Sequence, residues 1–183
     1  MNVIFLDFDG VLDTFHYSSN EDIEKKVIIL ANICKEYNCN VVIEASAKGA
    51  IDEETLELYN DWIKFIFDLF KKYGIKCIGR TPNVSKKLDE YFDIPMWKDY
   101  EIRLYLFRHP EIEHFCIIDD DDLYPNSDLR MLNDYLVKTK NYSKEENDEG
   151  LLDCHIEEVG NILKKENKIR NLVLKYKKRT IND

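Results

Sequence analysis

The chain has 183 residues, 44% of them hydrophobic and 12% aromatic, with only six Gly and four Pro; this suits one domain with its own core and excludes collagen-like or wholly disordered chains. Its 36 acidic side chains against 26 basic ones give a formal charge of −10, which argues against broad, non-specific binding to nucleic acid or to an anionic membrane. No apolar run approaches the ~20 residues of a membrane span, and MNVIFLDFDG has no basic lead and meets a carboxylate at Asp7, so a cytoplasmic protein with no signal peptide and with reduced, mostly buried cysteines is expected.

In chain order, Val3 to Leu6 is a short continuous apolar run ending at Asp7, the pattern of a strand buried on both faces. A helix is expected over residues 21–37, capped by Asn20, with Ile23, Val27, Leu30 and Ile33 on one face. Val41 to Ile43 repeats the strand pattern and ends at Glu44. A second helix is expected from Asp52 to Tyr73, stopped by Gly74. Ile75 to Ile78 reads as a further strand. Residues 80–97, with Pro82 and Pro95, read as a long irregular segment. Residues 99–108 form a helix, Phe115 to Ile118 a strand ending at Asp119, and Tyr135 to Lys138 a weaker strand. Residues 140–149 read as a charged loop and 152–165 as a helix. Strands alternating with helices predict an α/β fold with three layers around a mainly parallel sheet.

Residues 1–166 are expected to form this core and residues 167–183 a helical tail. Residues 164–183 carry eight basic and two acidic side chains, so the remainder is more acidic than the whole. Ile169, Leu172, Val173 and Tyr176 fall on one helical face, which is expected to dock on the acidic body or on a second copy in a homo-oligomer.

Two acidic groups follow buried strands: Asp7 and Asp9 in DFDGVLD, and the run Asp119 to Asp122. Ligands of parallel α/β sheets bind beyond the carboxyl ends of the strands. Carboxylates converging there would repel one another and raise one another's pKa values unless a cation held them, and an all-oxygen donor set favours Mg²⁺.

FLDFDGVLD resembles the first motif of the haloacid dehalogenase (HAD) superfamily, and IIDDDD resembles its late acidic motif. VVIEASAK, GRTP, WKDYEI and IIDDDD follow in the order of small members with a Swiss Army Knife RNA-repair type HAD domain. The resemblance implies a Rossmann-like core and a Mg²⁺-dependent phosphohydrolase acting on a phosphomonoester. Asp7 would be the nucleophile. Asp9 would act as acid and base while its backbone carbonyl binds metal. Gly10 would turn the chain at the phosphate. Asp120 would ligate metal, with Asp119 as a second ligand or just behind it. Lys98, with Lys86 and Lys87 as competitors, would supply the cation on the phosphoryl oxygens.

The second motif departs from the family. Glu44 stands where Ser or Thr should follow the strand, and a carboxylate there would repel phosphate. Ser46 is the expected substitute, and Lys48 would pair with either Glu44 or the substrate. This departure motivates an alternative, a HAD-like protein with altered or lost catalysis. A receiver domain fits less well, because its acidic pair follows the first strand and its phosphoacceptor ends the third. His16 could line the pocket mouth, and Trp97 could stack on substrate. Neither interval after the first two motifs has room for a full cap domain, so the implied pocket is open and suits a bulky or polymeric phosphorylated substrate.

Overall fold

The computed structural model describes residues 1–84, 97–123, 130–145 and 148–180. Five strands, β1 (Asn2–Leu6), β2 (Cys39–Ile43), β3 (Cys77–Arg80), β4 (His114–Asp119) and β5 (Leu136–Lys138), form one sheet in the order β3-β2-β1-β4-β5, every pairing parallel. Five helices, α1 (Asn20–Tyr37), α2 (Asp61–Tyr73), α3 (Trp97–Arg108), α4 (Cys154–Leu163) and α5 (Lys168–Thr180), complete a three-layer α/β fold of Rossmann type among the described residues. β1 is central because its side chains suit burial on both faces: Val3, Ile4, Phe5 and Leu6 are all fully buried. Phe5 meets Tyr105 of α3 and Phe115 of β4 edge to face, while α1 packs with α2 and α4, and α3 with α5.

The topology sets the location of the site. The chain steps from β1 through β2 to β3 in one direction, then crosses back to β4 and β5 on the other side of β1. Right-handed crossovers place the connecting helices of the two halves on opposite faces, which opens a crevice between the carboxyl ends of β1 and β4.

Local side-chain chemistry corrects some expected boundaries. Ser19, rather than Asn20, caps α1 by accepting from Asp22 N at 3.2 Å. The second helix starts at Asp61 instead of Asp52. Asp52 Oδ1 accepts from Glu54 N at 2.9 Å and Thr55 N at 2.8 Å, closing an Asx turn that competes with helix, and Leu56 then takes φ +57°. Asn60 is the true cap, its Oδ1 accepting from Trp62 N and Ile63 N. β3 begins at Cys77, not Ile75. All five cysteines are free thiols, and only Cys154 is exposed. No described helix is long and apolar enough to cross a membrane. Among the described residues, the intervals after the first two motifs hold α1, a 3₁₀ turn (Ser46–Ala50), a short loop, α2 and β3, with no cap domain.

The tail helix α5 docks through its first turn. Ile169 is buried, Arg170 Nε donates to Pro110 O at 2.9 Å, and buried Asn167 caps the helix by accepting from Arg170 N at 3.0 Å. Leu172, expected on the docked stripe, is half exposed, and the side chains of Val173 and Tyr176 lie outside the described ones.

Candidate active site

Backbone ladder bonds run one residue past most strands. Thr81 N donates to Ile43 O, Glu44 N to Leu6 O, Asp7 N to Ile118 O and Thr139 N to Asp119 O, at 2.8–3.0 Å. The residues following β3, β2, β1 and β5 are therefore held in register at one edge, together with Asp119, the last residue of β4. The pleat then sorts the first motif. Asp7 faces the crevice, Phe8 is fully buried with its ring 5.6 Å from that of Trp62, and Asp9 emerges at the surface.

Lys98, in the first turn of α3, reaches over β1 and β4. Its Nζ donates to Asp7 Oδ2 at 2.5 Å and to Asp119 Oδ2 at 2.8 Å. Asp7 Oδ1 accepts from Phe8 N at 2.7 Å, and Asp119 Oδ1 from Asp121 N at 2.9 Å. Burial and the nearby Asp119 push the Asp7 carboxyl up to about 7 against the pull of Lys98. Burial also raises Asp119 against Lys98, and burial with Asp121 and Asp119 raises Asp120. Burial alone lowers the Lys98 ammonium, but Asp7 and Asp119 outweigh it and hold it above the ordinary lysine value.

Asp7, Asp119 and Asp120 each bring a carboxylate oxygen within 4.8 Å of the others. A hard, all-oxygen set carrying more negative charge than Lys98 balances fits a divalent cation such as Mg²⁺. Gly10 makes the approach of Asp120 feasible. At φ +71° it adopts a conformation unfavourable for other residues, and a Cβ there would lie 2.2 Å from Asp120 Cγ. Ser46, at the start of the 3₁₀ turn after β2, donates from Oγ to Asp9 Oδ2 at 3.0 Å. The structure thus gathers Asp7, Lys98, Asp119 and Asp120 in one cluster, with Gly10 against Asp120 and the Asp9–Ser46 pair beside it.

Residues 3–144 match the profile of the HAD domain in Swiss Army Knife RNA repair proteins. The chain belongs to this HAD family. No curated protein and no solved structure matches it.

The HAD domain leaves Lys48 out of the cluster. Its ammonium is buried and has three acceptors, one for each proton: Glu44 Oε1 at 2.7 Å, Thr81 Oγ1 at 3.0 Å, and Glu101 Oε2. Of the two partners expected for Lys48, substrate and Glu44, the structure shows Glu44. Glu44 and Glu101 are each about 1% exposed. Glu44 Oε2 pairs with the Thr81 hydroxyl, and Glu101 Oε1 accepts from Val84 N at 2.5 Å, so all four carboxylate oxygens are engaged. Burial pushes the Glu44 carboxyl up to about 8, against Lys48 and Thr81. Protonated Glu44 can donate from Oε2 to Thr81, whose own proton then turns to Ile43 O, 3.5 Å away. That leaves Lys48 and Glu101 as a balanced ion pair.

Both oxygens of Glu44 are therefore engaged within this HAD domain. Glu44 joins β2 to the turn carrying Ser46 and, through Lys48 and Glu101, to α3 one turn beyond Lys98. Glu101 and Thr81 escape a sequence reading because they lie 53 and 33 positions from Lys48. Lys86 and Lys87 lie outside the described residues, as does the side chain of Trp97.

Proposed function

We propose that this domain is a Mg²⁺-dependent phosphohydrolase that cleaves a phosphomonoester through an aspartyl-phosphate on Asp7. The observation that carries the reading is the single ammonium of Lys98 spanning Asp7 and Asp119, with Asp120 alongside, at the switch point of a HAD sheet. Asp7, Asp119, Asp120 and the Asp9 carbonyl would hold the metal, which when bound supplies positive charge against the phosphoryl oxygens.

The side chains divide the remaining work. Asp7 attacks phosphorus, forming an O–P bond as the bond to the leaving alcohol breaks; one hard hydrolysis becomes two easier displacements. Asp9, steadied by Ser46, gives its proton to the departing oxygen. It then takes a proton from water as that water attacks the phosphoaspartate, releasing phosphate and restoring Asp7. Lys98 orients the Asp7 carboxylate and offsets charge on the transferred group. Gly10 lets the backbone come close to the phosphate.

The absence of a cap domain among the described residues supports an open site and a bulky or polymeric substrate. The family's description, which concerns RNA repair proteins, favours a phosphorylated polynucleotide end over a sugar phosphate. Glu44 no longer argues for lost catalysis, because both of its oxygens are engaged in the buried network. The direct test is release of inorganic phosphate from an aryl phosphate and from phosphate-ended oligonucleotides, with Mg²⁺ and with a chelator. Wild type should turn over only with the metal, and Asp7→Asn should abolish turnover while keeping the wild-type circular dichroism. Metal-independent turnover, or activity retained by Asp7→Asn, would reject the mechanism.

A further inference from the structure

Beside the cluster stands a group of exposed rings that the chemistry above does not use. Phe15 is 72% exposed and Tyr142 55%, with ring centroids 5.5 Å apart. The His16 ring completes a triangle with them, 4.9 Å from Phe15 and edge-on to it, and 5.0 Å from Tyr142 and tilted 39° to it. Large rings grouped in water are unfavourable unless something covers them.

The backbone under these rings is fixed. Leu151 N donates to Val11 O at 2.9 Å, Phe15 N to Asn141 O at 3.0 Å, and Thr139 Oγ1 to Gly10 O at 2.7 Å. Glu149, with no side-chain exposure, spends both oxygens here: Oε2 accepts from His16 N at 3.1 Å, and Oε1 from Ser143 N at 2.7 Å and His16 Nδ1 at 2.5 Å. A carboxylate only accepts, so Nδ1 carries the proton and Nε2 is the ring's second polar atom. The group also adjoins the candidate site. Asp13 bridges to Asp9, and His16 is three residues on, a span of at most ~11 Å.

We propose that Phe15, His16 and Tyr142 form a stacking subsite for a nucleobase of the phosphorylated substrate, a reading that rests on the proposed phosphohydrolase site and names the substrate as a nucleotide or polynucleotide end. The occupant must be flat, to lie on rings. It must carry polar edge atoms, to meet His16 Nε2. It must also carry no negative charge where it sits, since Asp13, bridged to Asp9, lies only three residues before His16 and would repel an acidic peptide. A base meets all three conditions. A backbone and a His16 ring held in place before binding lose little entropy when a base settles beside them. The acidic body offers little backbone attraction, so stacking supplies a large share of the affinity.

The test is fluorescence anisotropy with a labelled single-stranded oligonucleotide bearing a terminal phosphate, and with the same strand made abasic at its last two positions. Asp7→Asn serves as the background so that no turnover occurs. The intact strand should bind more tightly than the abasic one. Phe15→Ala with Tyr142→Ala should weaken the intact strand roughly 10–100-fold, as expected for loss of one stacked base, and erase the difference between strands. Phe15→Tyr with Tyr142→Phe should restore it. Equal binding of both strands to the Asp7→Asn background overturns the platform while leaving phosphohydrolase activity to stand on its own assay. Base-dependent binding by an enzyme that hydrolyses no phosphomonoester overturns the activity and keeps the platform. One further result would also overturn the proposal: a concentration-dependent dimer that the double variant abolishes.

Discussion

Replacing Lys48 by Met removes the cation from a closed network. Glu44 and Glu101, each about 1% exposed, would then face one another and Thr81 with no counter-charge. Breaking a buried pair from one side typically costs ~3–5 kcal/mol, which for a chain of this size lowers Tm by about 6–20 °C. The carboxylates can escape by taking up protons, so the cost should be largest at alkaline pH and shrink as pH falls. Glu44→Gln should behave very differently. With its carboxyl pushed up to about 8, Glu44 is protonated about ten to one at pH 7, and a neutral amide of the same shape can still donate to Thr81. Its cost should stay below ~1 kcal/mol. The sign of the pH effect follows. Between the ordinary glutamate value of 4.5 and about 8, the folded protein keeps a proton that the unfolded chain has lost. This contribution to stability is therefore full below 4.5 and is lost as pH rises through 8. Glu44→Gln should flatten that decline. Urea unfolding of wild type and both variants, followed by circular dichroism across pH 4.5–9, measures all of this. The reasoning fails if Lys48→Met unfolds like wild type, or if Glu44→Gln is as damaging as Lys48→Met.

Gly10→Ala should displace Asp120 and raise the Mg²⁺ concentration needed for half-maximal turnover at least about tenfold, read from a metal titration. Ser46→Ala removes one bond to Asp9 and should lower kcat about fivefold, the value of ~1 kcal/mol, in steady-state assays. Deleting residues 167–183 exposes the site of Ile169 and should cost about 2 kcal/mol in urea unfolding, with activity on polymeric and small phosphates falling in the same proportion. A selective loss on the polymer would show that the tail recruits substrate.

The sheet and the acidic cluster were legible because a strand buried on both faces writes itself as an unbroken apolar run, and the residue ending the run is placed by the ladder. Asp7 and Asp119 follow from that rule alone. The start of α2 was not legible, because Asp52 has the composition of a helix cap while its carboxylate closes a turn instead. The meaning of Glu44 was hidden for a different reason. Its environment is made by Lys48, Thr81 and Glu101, which only the docking of α3 assembles. His16 and Glu149 likewise meet across 133 positions, and nothing local to either announces the other.

The backbone ladder that continues past β1 ties chemistry to pairing. Asp7 takes its place from one bond, its N–H on Ile118 O. Were β1 to slip by one residue against β4 so that Phe8 took the place of Asp7, Phe8 would turn toward the crevice and Asp7 away from it. A mispaired sheet would thus be silent rather than altered in its chemistry. Turnover in a population of molecules then counts the correctly registered ones, and a folding defect far from the crevice should lower the number of active molecules without changing the KM of those that remain.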